Sequence, residues 1–329
     1  MVFPYYTGTS SKRSTNGQVE LPGSRRSQQT APDGYMPDQG LVDAVNVSLL
    51  LGQPLLLTGE PGTGKTQLAY SLSWELGFGS PLMFETKSSS TARDLFYTYD
   101  TLGRFHAAQT NQGSQDSLDY LTYNALGLAI LRANERSAVA QWLPRNFEHL
   151  GKQRSVVLID EVDKAPRDFP NDILNEVENM YFKIPELGNT MISADEEMRP
   201  ILILTSNSEK HLPDAFLRRC VYYHIPFPEP ARLEEIVTGR IASLDVGDQK
   251  WLADALELFL KLREPASGLT KKPATAELLG WLTYLKDRDV NAGESLRGQR
   301  TLIQASLGAL VKNQEDQRTA QIVIEEWLK

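Results

Sequence analysis

The sequence predicts an α/β fold, a doubly wound parallel sheet followed by an all-helical region. Three observations carry that expectation. Short runs that are apolar on both faces (residues 55–57, 156–159 and 201–204) alternate with helical periodicity, and strands of that kind belong to parallel sheets covered by helices on both sides. A glycine-rich segment, residues 59–64, joins the first such strand to a helix. Past Pro226-Phe227-Pro228-Glu229-Pro230 the strand signals stop and only helical periodicity remains.

Composition fits this class and excludes others. At 329 residues the chain is about twice the ~150-residue norm for one domain. With 41% hydrophobic and 23% charged residues it has the makeup of a globular protein, not a fibrous or broadly disordered one. Lys plus Arg number 34 against 42 Asp plus Glu, and the net charge of −8 has the wrong sign for a protein that holds nucleic acid by neutralising phosphates. One cysteine, Cys220, excludes an internal disulfide framework and a thiolate zinc site, and fits a reducing compartment. No apolar run reaches the ~18 residues of a membrane span, and residues 1–5 do not open a signal peptide. The expectation is a cytoplasmic protein without a membrane partner.

Taken in order, residues 1–34 are polar and poor in aliphatics, and read as a flexible N-terminal arm. Residues 41–50 read as a largely buried helix, broken by Gly52-Gln53-Pro54 before the strand Leu55-Leu56-Leu57-Thr58. After the glycine-rich loop comes a helix over 67–76, ended by Gly77, and a strand over 82–85. Alternation around 95–99 and 104–106 predicts a hairpin, residues 111–117 are turn material, and 120–134 read as a helix. The apolar strand 155–159, a helix over 171–180, a small hairpin around 182–184 and 191–192, and the strand 201–205 follow. Helices are expected over 233–241, 251–262, 276–286, 301–312 and 319–328. This divides the chain into an arm (1–34), an α/β domain (35–228) and a helical domain (229–329).

The chemistry begins at Gly59-Glu60-Pro61-Gly62-Thr63-Gly64-Lys65-Thr66, with Gln67 next, which satisfies GxxxxGK[ST] between a strand and a helix. Its glycines let backbone N–H groups curl around phosphates, Lys65 supplies positive charge, and Thr66 offers a hydroxyl to Mg²⁺. The strand Val156-Val157-Leu158-Ile159 delivers Asp160 and Glu161 at its carboxyl end, where ligands bind in open α/β sheets. Asp160 would hold Mg²⁺, and Glu161 would polarise a water for attack on a γ-phosphate. Asn207, after the strand ending at Thr205, either orients that water or caps a turn. Arg218 and Arg219 either complement a helix C-terminus or reach across a subunit boundary as arginine fingers.

The phrases GEPGTGKT, VLIDEVDKAPRDF, ILTSN and LPDAFLRRC, in this order and before a helical region, resemble the AAA+ ATPases. Within them, DGYMP, DEVDKAPRDFPNDILNEVE and KIPELG resemble the MoxR family, over roughly residues 35–285. The resemblance implies an AAA+ P-loop NTPase fold with ATP and Mg²⁺ as ligands. It also implies a ring, usually a hexamer, with chaperone-like activity, often beside a von Willebrand factor A domain protein. Lys65 and Thr66 match Walker A, Asp160 and Glu161 Walker B, Asn207 sensor 1, and Arg219 the finger, with Arg218 a second candidate. The segments near 95–106 and 182–192 match insertions that face the pore or the substrate, and Tyr35 lies where the family's N-terminal segment approaches adenine. Sensor 2 is normally an arginine, whereas Leu269-Thr270-Lys271-Lys272 offers Lys272, which brings charge without a planar fork.

Other features read plainly. Cys220 is a small buried residue. His106, His149, His211 and His224 lack ligand spacing, and Phe96, Tyr97, Tyr99 and Phe105 are packing aromatics ahead of a base-stacking platform. Besides an ATP-driven remodelling motor, two other functions fit the motifs: a nucleotide-gated assembly module, and a nucleic-acid-directed ATPase that the acidic charge disfavours.

Overall fold

A computed structural model describes residues 5, 6, 21, 32–110, 114, 116–145, 147–208, 212–241, 250–288 and 293–329. The chain forms two compact units, Met1–Ala31 and Pro32–Lys329, and nearly all described residues belong to the second. The arm expected over 1–34 and His211 therefore lie largely outside the described residues.

In chain order the strands are β1 Leu55–Gly59, β2 Leu82–Glu85, β3 Tyr97–Tyr99, β4 Leu121–Tyr123, β5 Val156–Asp160, β6 Tyr181–Ile184, β7 Thr190–Ser193, β8 Ile201–Thr205 and β9 Val221–Ile225. The helices of the α/β part are α1 Gln39–Leu51, α2 Lys65–Glu75, α3 Thr101–Thr110, α4 Ala125–Arg132, α5 Arg136–Val139, α6 Phe169–Asp172, α7 Leu174–Asn179 and α8 Asp214–Leu217. Those of the C-terminal part are α9 Pro230–Arg240, α10 Lys250–Arg263, α11 Thr275–Asp287, α12 Arg300–Leu310 and α13 Gln314–Trp327.

Five strands form a parallel sheet in the order β2-β5-β8-β1-β9. Side chains alternate across a strand, so each apolar run serves two layers. Leu56, Val157, Ile159, Leu202 and Leu204 face one core with Leu126 and Ile130 of α4. Leu55, Leu57, Val156, Leu158 and Ile203 face the other with Leu41 and Val45 of α1 and Leu68 and Leu72 of α2. This is why these strands carry no polar alternation. The doubly wound parallel sheet followed by helices is the fold class the sequence predicts.

The C-terminal helices bury a separate core. Trp251, Phe259, Trp281 and Trp327 are all at most 2% exposed. Trp281 Nε1 donates to Ser306 Oγ at 2.8 Å, which satisfies the indole inside it.

Three local expectations need correction. The hairpin expected near 95–106 is instead β3 paired antiparallel with β4, Tyr97 opposite Tyr123, while Arg104, Phe105 and His106 lie on α3. The Asp100 carboxylate accepts from Gly103 N at 2.8 Å and starts that helix, a cap that outweighs the alternation. The helix expected over 120–134 is shortened to 125–132 because 121–123 are used as strand. Gly127, its third residue, closely approaches the residue before β3, where a Cβ would stand 2.0 Å from the Phe96 carbonyl oxygen. Finally, α1 is not largely buried: Val47, Leu50 and Leu51 are exposed, and Leu50 is 86% so. Phe96 and Tyr97 are buried against Phe182, with ring centroids 5.4 and 6.2 Å away, so these two are packing aromatics as expected.

Candidate functional site

The carboxyl ends of β1, β5 and β8, adjacent in the sheet, bring the predicted chemistry together. Gly59 ends β1 at φ +142°, where a Cβ would stand 2.6 Å from the Ile225 carbonyl oxygen, and Gly64 opens α2 at φ +91° beneath the Tyr35 ring. Neither conformation suits a residue with a side chain. The loop therefore turns back on itself, and Lys65, at the start of α2, is buried. Its Nζ donates to Gly59 O at 2.8 Å, Glu60 O at 3.0 Å and Asn207 Oδ1 at 3.1 Å. Burial pulls its pKa below the usual lysine value, while Asp160, Asp163, Glu161 and Glu60 pull it back up.

Thr66 Oγ1 donates to the Asp160 carboxylate at 3.1 and 3.3 Å. A hydroxyl and a carboxylate side by side are hard oxygen ligands suited to Mg²⁺, which takes few protein oxygens and fills its shell with water and phosphate. Among the described residues no cluster of three or more His, Cys, Asp or Glu could hold a metal unaided, so an ion here needs a ligand's oxygens too.

Glu161 follows Asp160 with φ +56° and ψ +50°, an uncommon backbone for a non-glycine residue. That turn sends its carboxylate to Lys164, with which it pairs, while its N–H donates to Thr205 Oγ1 at 2.9 Å. Thr205 Oγ1 in turn donates to Asp160 Oδ1 at 2.5 Å, so one fully buried hydroxyl ties the Asp160 carboxylate to the Glu161 backbone. Asn207 is fixed from both sides, its N–H donating to Asp163 Oδ1 at 3.2 Å and its side chain accepting from Lys65.

These groups line one wall of a cleft of about 520 Å³. The other wall is formed by Tyr35, Phe227, Ile236 and Leu279, with Arg232, Arg240 and Thr275 also on its surface. Burial and the Asp38 carboxylate push the Tyr35 phenol up, so it stays neutral. A second cleft of about 550 Å³, bordered by Asp163, Arg167, Asp168 and Leu212, contains none of the glycine-rich loop.

The loop residues 61–67, Asp160, Glu161 and Asn207 thus all meet at one cleft, whose edge is also where Gly59 and Glu60 hold Lys65. Lys272 is exposed and does not line the cleft, because the backbone N–H groups of Thr270 and Lys271 donate to Asp316 at 2.8 and 2.9 Å and fix that turn. In its place the start of α11 packs on the loop, and a Cβ at Gly62 would stand 3.0 Å from Ala274 Cβ and 3.2 Å from Ala276 Cβ. Arg219 pairs with Glu178 at 3.1 Å and donates to Ala215 O at 2.9 Å, away from the cleft. Arg218 is exposed, its backbone N–H donates to Asp214 O at 3.1 Å, and no hydrogen bond or ion pair joins its side chain to the described residues.

Sequence reasoning missed three residues. Thr205 carried a faint signal, a polar residue closing an otherwise apolar strand. Arg240, which donates to Gln67 Oε1 at 2.5 Å, and Arg263, which pairs with Glu60 at 2.8 Å, carried none, being 173 and 203 residues away in sequence from their contacts.

Fold and site define a phosphate-loop protein of the α/β class. The profile of the ATPase family associated with various cellular activities (AAA) matches residues 55–228, just over half of the chain, and the chain belongs to that family. Membership carries nucleotide binding with it. A solved structure reported as "Structural Basis for Katanin Self-Assembly" is similar at 14% identity, covering 94% of this chain and 98% of that one, with a TM-score of 0.38. No curated protein matches the chain. Among the described residues, no helix is long and apolar enough to cross a membrane.

Proposed function

We propose that this chain is an ATP-binding and ATP-hydrolysing AAA+ ring protein of MoxR type, coupling hydrolysis to remodelling or activation of a partner protein. The observation that carries the reading is the hydrogen-bonded cluster of Lys65, Thr66, Asp160, Thr205, Glu161 and Asn207 at the ends of three adjacent parallel strands. Lys65 and the loop N–H groups receive the β- and γ-phosphates. Thr66 and Asp160 would hold Mg²⁺, which would supply positive charge against the phosphates. Glu161, released from Lys164, takes a proton from the attacking water, and Asn207 orients that water.

Arg219 completes a neighbour's site as a finger, with Arg218 as its alternate. Both Glu161 and Arg219 stand in ion pairs in the single chain, which supports a site that is finished only on assembly. The MoxR assignment rests on the sequence phrases given above, and with it come a hexameric ring and a von Willebrand factor A domain protein as the expected client. Separate apolar cores for the sheet and for 233–328 support the division into a nucleotide-binding domain (35–228) and a helical lid (229–329). The single thiol suits the reducing cytoplasm.

The test is phosphate release measured over a range of protein concentrations, with assembly followed by light scattering. Turnover per subunit rising as rings form is the expected result; absence of ATP binding refutes the reading. A partner protein whose activity changes per ATP consumed separates remodelling from nucleotide-gated assembly alone.

A further inference from the structure

We propose that Arg263 is the positioning residue through which the C-terminal helices sense the phosphate loop, acting on Glu60 and not on phosphate itself. The inference rests on the nucleotide-binding reading above and names a coupling residue where Lys272 does not reach the cleft. Arg263 is the last residue of α10, and its side chain is only 9% exposed. One guanidinium there serves three segments. It pairs with Glu60 Oε2 at 2.8 Å, donates to Pro273 O at 2.5 Å, and lies with its central carbon 3.3 Å from the Phe227 ring centroid. Glu60 belongs to the glycine-rich loop, Phe227 to the segment leaving the sheet after β9, and Pro273 to the turn that opens α11.

The loop end of this chain of contacts is the part that responds to a ligand. The Glu60 carbonyl accepts from Lys65 Nζ at 3.0 Å and from Thr63 Oγ1 at 2.8 Å, so it is held by the amine that phosphate must recruit. Phosphate oxygens compete with Gly59 O, Glu60 O and Asn207 Oδ1 for the three protons of that amine. Any resulting shift of the Glu60 peptide moves its carboxylate. A guanidinium so enclosed cannot leave its counter-charge without cost, so Arg263 follows, and with it Pro273 and the start of α11. The planar fork and the stack on Phe227 fix its direction, which an ammonium cannot reproduce.

Substitutions at Arg263 and Glu60 and one probe decide the matter. Amide exchange of residues 275–287 is measured with and without a saturating non-hydrolysable ATP analogue plus Mg²⁺, and the analogue's affinity is read from the same titration. In the wild type the analogue slows exchange in α11. Arg263→Ala and Glu60→Gln each abolish that difference at saturation, weaken the analogue by roughly 5–150-fold, the usual span of a coupling energy, and are non-additive when combined. Arg263→Lys fails to restore the difference. A brace with no coupling role would raise exchange equally in both states and leave the ligand-induced difference intact, and that result in either variant overturns the proposal. If Arg263→Ala does not fold, Glu60→Gln decides alone. A wild-type protein that binds no analogue overturns the nucleotide reading and this inference together, whereas a wild type that responds beside variants that also respond overturns only the inference.

Discussion

Thr205→Val replaces the buried hydroxyl that registers Asp160 and Glu161 with a methyl group of nearly the same shape. In the native site Thr205 Oγ1 donates to the Asp160 carboxylate and accepts from Glu161 N–H at 2.9 Å. The first bond, to a charged group, contributes about 1.5–3 kcal/mol, and stranding the part-buried N–H costs about 1–3 kcal/mol, so the site loses about 2.5–6 kcal/mol. Amide exchange in β5 and β8 reads this locally, without requiring the whole chain to unfold in one step. The Glu161 backbone sits at φ +56°, and without the Thr205 anchor that backbone, and with it the carboxylate, is no longer held in place. If only about 1.4–3 kcal/mol of the loss falls on the transition state, turnover drops roughly 10–100-fold, with nucleotide affinity little changed. Thr205→Ser keeps the hydroxyl and should stay within a few-fold of the wild type. Exchange and turnover in Thr205→Val that match the wild type would show that the hydroxyl positions nothing.

Lys65→Ala should abolish ATP binding in calorimetry, since the loop then contacts phosphates chiefly through amides. Glu161→Gln should bind ATP normally and hydrolyse it roughly 10²–10⁴-fold more slowly in a phosphate-release assay. Arg219→Ala should retain binding and lose roughly 10³–10⁵ in turnover, and mixing it with Lys65→Ala should recover part of the activity through interfaces that join an intact site to an intact finger. An Arg219→Ala that keeps wild-type turnover, beside an Arg218→Ala that loses it, moves the role to Arg218. For Asp316, burial raises the pKa, but hydrogen bonds from Thr270 N, Asn313, Lys271 N and Thr270 Oγ1 outweigh it and hold the group at about 2 against an ordinary 3.8. Its folded pKa is depressed, so its contribution is complete above about pH 4 and lost as pH falls toward 2, which melting curves of the wild type and Asp316→Asn should show by converging in acid.

Much of the site was legible because its chemistry is local in sequence. Eight consecutive residues, 59–66, carry the loop, and Asp160-Glu161 close a strand whose apolar run announces them. Lys65, Asp160 and Asn207 come from distant segments, yet each ends or follows a β-strand, and a parallel sheet brings such ends to one edge. What stayed hidden depends on contacts with no local pattern. Arg263 and Arg240 look like ordinary helix-end cations, which their helix positions also favour. Lys272 looked available because nothing near it in sequence shows that Asp316 holds its turn elsewhere. The 95–106 segment misled because a single capping aspartate, Asp100, converts the second half of an alternating pattern into a helix.

The order of the sheet has a consequence for synthesis on the ribosome. β1 is entirely buried and, Thr58 aside, without polar side chains, and its neighbours are β8 and β9, whose pairing residues are 203–205 and 221–225. When residue 59 emerges, both edges of this strand are unpaired; the β8 edge can close only after Thr205, and the strand is not paired on both sides until some 166 further residues, to Ile225, have been added. At typical elongation rates that interval is roughly 8–33 s. Throughout it a largely apolar strand with at least one open edge is exposed to other nascent chains, which is the condition for misassembly. Folding yield in cells should therefore respond to codon-level changes in elongation between residues 60 and 225 more than to changes after the sheet has closed.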